Sequence, residues 1–305
     1  MTGSKNERGQ ALVLTVLSLV VLLGMAALVL DVGAWFHQKR HLQATADAAA
    51  LAGAQLLPDD PSGASSLAVT YGTKNGGGVG AADVTISSSR DTNDTISVRA
   101  HKTNSGVFSK VLGVVNVNIA ATAKARVAVP IQAMGVAPIV VKNTHPLIKG
   151  SSSCPCFNQL TTLPLGKDGA PGSFDLINLD DSHGGTGQTI LGDWILHGYN
   201  SYLGLGQYYS DSGAKFNASE VQSALSARIG TVLMFPVYDI IQGTGSNAQY
   251  HVIGWVGFHL NGFTVQGNGG TISGYFTHYI AHGIQPTGGQ TAPPWFGVVS
   301  VQLIG

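Results

Sequence analysis

Residues 11–30 read ALVLTVLSLVVLLGMAALVL, twenty consecutive positions without a charge. As a helix rising ~1.5 Å per residue, this stretch spans ~30 Å, the hydrocarbon thickness of a bilayer. It is longer than the apolar part of a secretory signal, and no clean cleavage site follows it, so it reads as a retained anchor. The next residues, VLDVGAWFHQKRHLQ, carry helical spacing on into charge. QATADAAALAGAQLL then adds an alanine-rich run of high helix propensity. Pro58 and Pro61, with Asp59 and Asp60, mark the end. One continuous helix is therefore expected from about residue 10 to residue 57, ~70 Å long, with its lower half in lipid. Leu42, Ala46, Ala49, Ala50 and Gly53 share one face at three-to-four spacing. Their small side chains allow close packing, either on the chain's own folded part or on helices of other subunits. Lys5 and Arg8 precede the span and Lys39 and Arg40 follow it, so charge alone does not set its orientation.

The remainder is long enough for one or two domains. Hydrophobic residues make up 44% of the 305, enough for a core, and the net charge is zero, which points away from nucleic acid. Charged residues are only 10%. From residue 240 to residue 305 there is no Asp, Glu, Lys or Arg. A β-rich core with Ser, Thr, Asn and Gln facing water explains this, as does a subunit interface, where charge is depleted. Cys154 and Cys156 flank Pro155. The pair is reduced, closes a tight ring or bridges two chains; no further cysteine completes a thiolate metal site.

The pattern gives an α+β chain. Residues 1–9 are a short tail and 10–57 the long helix. Residues 64–142 are a small α/β domain, and 143–305 a β-rich domain with an antiparallel sandwich or barrel. In the small domain, SSLAVTYGTKNG reads as a helix, VTISSS and TISVRAHK as strands joined by a turn at 90–94, SGVFSKVLG as a short amphipathic helix, and VNVNIAATAKARVAV as a strand. This order fits a split, ferredoxin-like half-sheet. Residues 135–142 read as one more strand. Helices are expected at 191–205 and 218–229, and strands at 231–241, 250–265, 271–282 and 295–304.

Chemistry-bearing motifs are weak. His278 and His282 have zinc spacing only if helical, and Tyr279 stands where a metalloprotease helix needs glutamate. His251 and His259, with Asp239 nearby, are the other metal candidates. Asp180-Asp181-Ser182-His183-Gly184-Gly185 has carboxylates for Ca²⁺ without the spacing of an EF-hand. No GxSxG elbow, phosphate loop or acid/base pair stands out, and no metal or cofactor is expected. Asp31, at the outer edge of the span, is either a boundary marker or a partner for Lys39, Arg40 or a neighbouring subunit.

The order of features over residues 7–56 resembles the N-terminal domain of TadE/TadG-like proteins of the tight-adherence (Flp) pilus system. Arg8-Gly9 precedes the apolar span and Asp31 ends it; an aromatic-basic stretch follows, then Leu42-Gln43, then an alanine run containing Asp47. Residues 64–130 resemble the pseudopilin-like segment that often follows. GSFDLINLDDSHGGTG and VLMFPVYDIIQGTGSNAQYHVIGWVGFHLNGF resemble C-terminal domains of large TadG-like proteins. The resemblance implies a bacterial envelope protein anchored in the cytoplasmic membrane, with its N-terminus inside and its C-terminal domain outside. It implies a structural or assembly role with pilins or pilus-assembly proteins, or with further copies of the chain. Asp31, Lys39, Arg40, Gln43, Ala46, Asp47, Ala50 and Gly53 are its interaction candidates. The glutamate of peptidase-processed pilins would fall at Leu14, and residues 10–30 hold no acid, so the resemblance implies no processing. The other reading is a tethered ectodomain that binds a ligand or acts as a metal-dependent enzyme, for which His251, His259, His278 and His282 would have to converge.

Overall fold

The computed structural model describes residues 7–149, 155–165, 175–211, 215–267, 269–287 and 290–304. Lys5, Cys154, most of the N-terminal tail and the start of the GSFDLINLDD stretch lie outside the described residues. The chain is mixed α+β and divides into two compact units, residues 1–127 with 302–305, and residues 128–301.

The first unit is built on α1 (Glu7–Ala54), one helix of 48 residues. It is the one helix among the described residues long and apolar enough to cross a membrane, and its most apolar window, of mean hydropathy 2.8, is wholly unburied. Within that window the hydroxyls of Thr15 and Ser18 donate to the carbonyls of Ala11 and Leu14, so neither polar group faces the apolar surroundings unpaired. The helix stops short of Pro58, where Gln55 to Leu57 close as tight turns. Asp60 then caps α2 (Pro61–Lys74): its carboxylate accepts from Gly63 N–H at 2.8 Å, with Pro61 in the first turn.

Three antiparallel strands follow, β1 (Val84–Ser87), β2 (Thr95–Ser105) and β3 (Asn116–Ala128), each paired with the next in sequence. On β2, Ile96, Val98 and Ala100 alternate inward and are buried. The long helix packs on β2 and on α2, and Leu42, Ala46, Ala49 and Ala50 of α1 and Ala64 and Ala68 of α2 are buried as well. Alanine dominates because the backbones lie close. A Cβ on Gly53 would stand 2.6 Å from the Ile96 side chain and 2.8 Å from the Ala64 carbonyl. The expected helix at 105–113 is instead a single 3-10 turn, Ser109–Leu112, ended by left-handed Gly113. The chain's last described residue is tied to this unit, Ile304 N–H donating to the Lys124 carbonyl at 2.8 Å.

The β1–β2 turn is organised by Asp94, which is buried. Its carboxylate accepts from the N–H groups of Ser89, Arg90 and Asp91 at 2.7–3.1 Å, and from the hydroxyls of Ser89 and Thr95.

The second unit centres on a six-stranded sheet. It comprises β4 (Val141–Lys142), β5 (Leu160–Leu165), β6 (Gly206–Tyr209), β7 (Val232–Gln242), β8 (Gln249–Gln266) and β9 (Gly269–Thr277). The order is β4-β7-β8-β9-β5, with β6 also on β8; only the β4–β7 pair is parallel. Two ten-residue helices of this unit, α3 (Gln188–His197) and α4 (Ser219–Arg228), pack on each other. Arg228 clasps them, donating to the Leu196 and Val232 carbonyls at 2.8 and 2.6 Å. The core is aromatic: Phe235, Phe258 and Phe276 form a chain of rings 5.4 Å apart, and buried Trp255 donates its indole N–H to the Pro130 carbonyl at 3.0 Å. The helix expected over 191–205 ends at His197. Gly198 has φ +77°, and any side chain there would collide with the Gly135 backbone. A final strand, β10 (Val298–Leu303), starts in parallel beside Tyr279–Ile280.

Two expectations follow. Gly53→Val should destabilise the first unit by about 1–3 kcal/mol, because the neighbouring carbonyl cannot retreat as a flexible side chain can; urea unfolding of the detergent-solubilised chain, read by hydrogen exchange on β2, checks it. For Asp94, burial alone would raise the carboxyl's pKa, but the N–H donors of Ser89, Arg90 and Asp91 and the Thr95 hydroxyl outweigh it and hold it below its ordinary value. A depressed carboxyl stabilises the fold above the unfolded pKa, ordinarily 3.8, and that contribution is lost as pH falls through the lower folded value. Amide protection at Ser89–Asp91 should therefore persist at pH 5, weaken only below pH 3.8 and collapse as pH passes the lower folded value.

Candidate functional site: the polar seam of the long helix

Just beyond the apolar stretch, α1 carries a seam of polar side chains turned toward its own sheet. Asp31 begins it. Only 4% exposed, its carboxylate accepts three backbone N–H bonds from the loop between β2 and β3: Val107 at 3.1 Å, Phe108 at 2.9 Å and Ser109 at 2.6 Å. Phe108 caps the 3-10 turn and Ser109 opens it, so these two are donors that the start of a short helix leaves without partners, and Val107 precedes them. The loop closes on itself through Ser109, whose hydroxyl donates to the Val114 carbonyl while its own carbonyl accepts from Val114 N–H, both at 3.0 Å. Gly106 lies so close to Asp31 and Ser109 that a Cβ there would overlap the Ser109 hydroxyl.

Further out, the Lys39 ammonium donates to the Ala120 carbonyl. The Gln43 amide donates to the Thr122 carbonyl at 3.4 Å and to the Asp47 carboxylate at 2.8 Å. Four residues of helix advance ~6 Å and two residues of strand ~6.6 Å, so i, i+4 on α1 meets j, j+2 on β3. Thr45 completes the attachment, its hydroxyl donating to the Asn75 carbonyl at 2.5 Å after α2.

Of the eight candidate residues, Asp31, Lys39, Gln43 and Asp47 thus make polar contacts within the first unit. Ala46, Ala50 and Gly53 are buried there, Gly53 against Ile96, Ala64 and Ala68. Arg40 is exposed, as are Phe36 and His37 near it, Phe36 at 68%. No local pattern marks the role of Val107–Ser109, since the acceptor for their N–H groups lies 76 to 78 residues away in the chain.

In the second unit the histidines have separate partners. His251 bonds Asp239 at 2.8 Å; His259 bonds Asn261 and stacks on Tyr275; His278 packs between Phe157 and Trp295; His282 lies near Tyr202. Among the described residues no three of His, Cys, Asp and Glu are placed to hold a metal ion. Around the Asp180–Gly185 loop, Asp180 accepts from Ser182 N–H, and His183 bonds Asn247 at 2.7 Å. Deeper, Asp211 accepts from the Lys215 ammonium and from Thr186 N–H, and the Thr186 hydroxyl donates to Asn178 at 2.6 Å. Burial pushes the Asp211 carboxyl above its ordinary value, against the lowering by Lys215 and the Thr186 N–H. Cys156 is disulfide-bonded.

Residues 9–56 match the family model described as putative Flp pilus-assembly TadE/G-like. No curated protein and no solved structure matches this chain.

Asp31→Asn should release the β2–β3 loop, because an amide turns an N–H₂ toward backbone donors that a carboxylate accepts. Hydrogen exchange at Val107, Phe108 and Ser109 should accelerate while the Asp94 turn is unchanged; equal exchange in both proteins would refute the anchoring role.

Proposed function

We propose that this protein is a membrane-anchored, non-enzymatic structural or assembly component of a Tad (Flp)-type pilus or a related surface apparatus. One observation carries the reading. The segment that matches the family model coincides with a helix whose first half is unburied and apolar, and whose second half is held to a folded unit. Such a helix positions the unit at a fixed height above a bilayer. In this reading α1 crosses the cytoplasmic membrane once, the N-terminus stays inside, and both folded units lie outside.

Partners are pilins, pilus-assembly proteins or further copies of the chain, met within the membrane through α1 and just above it through the exposed Phe36–Arg40 turn. The alanine face is less available to them, since its side chains already lie against α2 and β2. Charge-depleted surface beyond Asp239 suits a second contact region.

The test is crosslinking of native membranes followed by mass spectrometry of what travels with the chain. Recovery with pilins or pilus-assembly proteins, residues 1–9 intact, is expected. Arg40→Glu should reduce that recovery several-fold without changing the unfolding midpoint, because Arg40 is exposed. A lone monomer carrying bound metal or sugar would overturn the assembly reading in favour of a tethered binding protein or enzyme.

A further inference from the structure

The loop between β2 and β3 exposes apolar side chains that nothing in its own unit covers. Val107 is 72% exposed, Phe108 44% and Val115 54%, with Val114 beside them. Phe108 does not project into open solvent. With Ser109 it lines an apolar groove whose other walls include Val21, Gly24, Met25, Leu28 and Leu30 of α1. Those residues precede Asp31 by one to ten positions, which places the groove up to ~15 Å on the apolar side of the carboxylate. An aromatic side chain held along that length of a membrane span sits at the depth of lipid, not of water.

Exposed apolar side chains enter lipid only if the backbone that bears them is paired. Here it is. The N–H groups of Val107, Phe108 and Ser109 are taken by Asp31, and those of Gly113 and Val114 by the Lys110 and Ser109 carbonyls. Lys110, exposed in the same turn, has the reach for a phosphate headgroup above an apolar tip.

We propose that the 107–115 loop is a second membrane contact, with Val107 and Phe108 inserted in the outer leaflet beside α1 and Lys110 at the lipid headgroups. Asp31 is then a positioning residue for this contact, not only a boundary to the span. The contact fixes the tilt and rotation of the unit that α1 alone leaves free. The inference rests on α1 spanning the membrane, and the experiment separates the two.

The full chain is reconstituted in vesicles of phosphatidylcholine with phosphatidylglycerol, carrying a nitroxide at Val107→Cys, Leu28→Cys or Thr85→Cys; the parent chain treated with the same reagent gives the background. Collision with oxygen, enriched in lipid, is compared with collision with a water-soluble nickel chelate. The Val107 label should favour oxygen several-fold, as Leu28 does, and adding Asp31→Asn should move it toward the solvent pattern of Thr85. A Val107 label as open to nickel as Thr85, with Leu28 shielded, overturns the loop contact and leaves the anchor. A nickel-accessible Leu28 overturns the anchor as well. Shielding of Val107 that disappears as the lipid-to-protein ratio rises means that a second copy covers the loop, and also overturns the proposal.

Discussion

The carboxylate of Asp31 is the constraint around which the first unit is arranged. An acid at the end of an apolar span is unfavourable unless its lone pairs are taken up, and an isolated 3-10 turn leaves its leading N–H groups unpaired. Each defect is the remedy for the other, and Val107, Phe108 and Ser109 meet Asp31 on that basis. Once the loop is fixed there, β3 must climb along α1, and Lys39 and Gln43 fall opposite Ala120 and Thr122. The alanine run then completes the contact. At Ala46, Ala49 and Ala50 any larger side chain would push α1 away from β2 and α2 and weaken the polar seam below.

Much of this frame was legible in the sequence because it depends on local pattern. The long helix follows from a chargeless run continued by alanine. The β1–β2 hairpin follows from alternation on either side of the turn at 90–94, and α2 from the helical reading of SSLAVTYGTKNG. What local pattern does not carry is an acceptor arriving from far away. SGVFSKVLG has helical spacing, yet forms only a 3-10 turn, because its N-terminal donors turn outward to Asp31. The same holds for 191–205, where helical periodicity runs past His197 but the Gly135 backbone crosses at Gly198 and admits no side chain. The site was half legible. Asp31, Lys39 and Gln43 could be marked as residues with a task, but whether that task faced the chain's own sheet or another subunit is a question of tertiary packing.

The second unit meets its polar demands differently. It has few charges, and the buried Asp211 is enclosed by a neutral donor and a cation. Asp211 and Lys215 draw in Thr186 and Asn178, so the glycine-rich stretch containing His183 and Gly184 is held at its far end by hydrogen bonds. The histidines are shared out one by one, to a carboxylate, an amide and aromatic faces. Imidazoles used in this way supply the polar surface that Lys and Arg would supply elsewhere, which accounts for their frequency in a stretch without fixed charge.

A helix that is both anchor and core strut couples the membrane to the fold. Side chains on the α2- and β2-facing side of its outer half are buried, so a neighbour can reach that half only on the opposite side, where Phe36, His37 and Arg40 are exposed. The inner half is exposed in the isolated chain except where Phe108 and Ser109 lie beside it. Whatever meets the inner half, lipid or another helix, acts on a rigid rod whose far end is the core of the first unit. A rotation imposed in the bilayer is therefore passed through Asp31, Lys39 and Gln43 to β3 without a flexible joint between them, and the orientation of the unit follows that of its anchor.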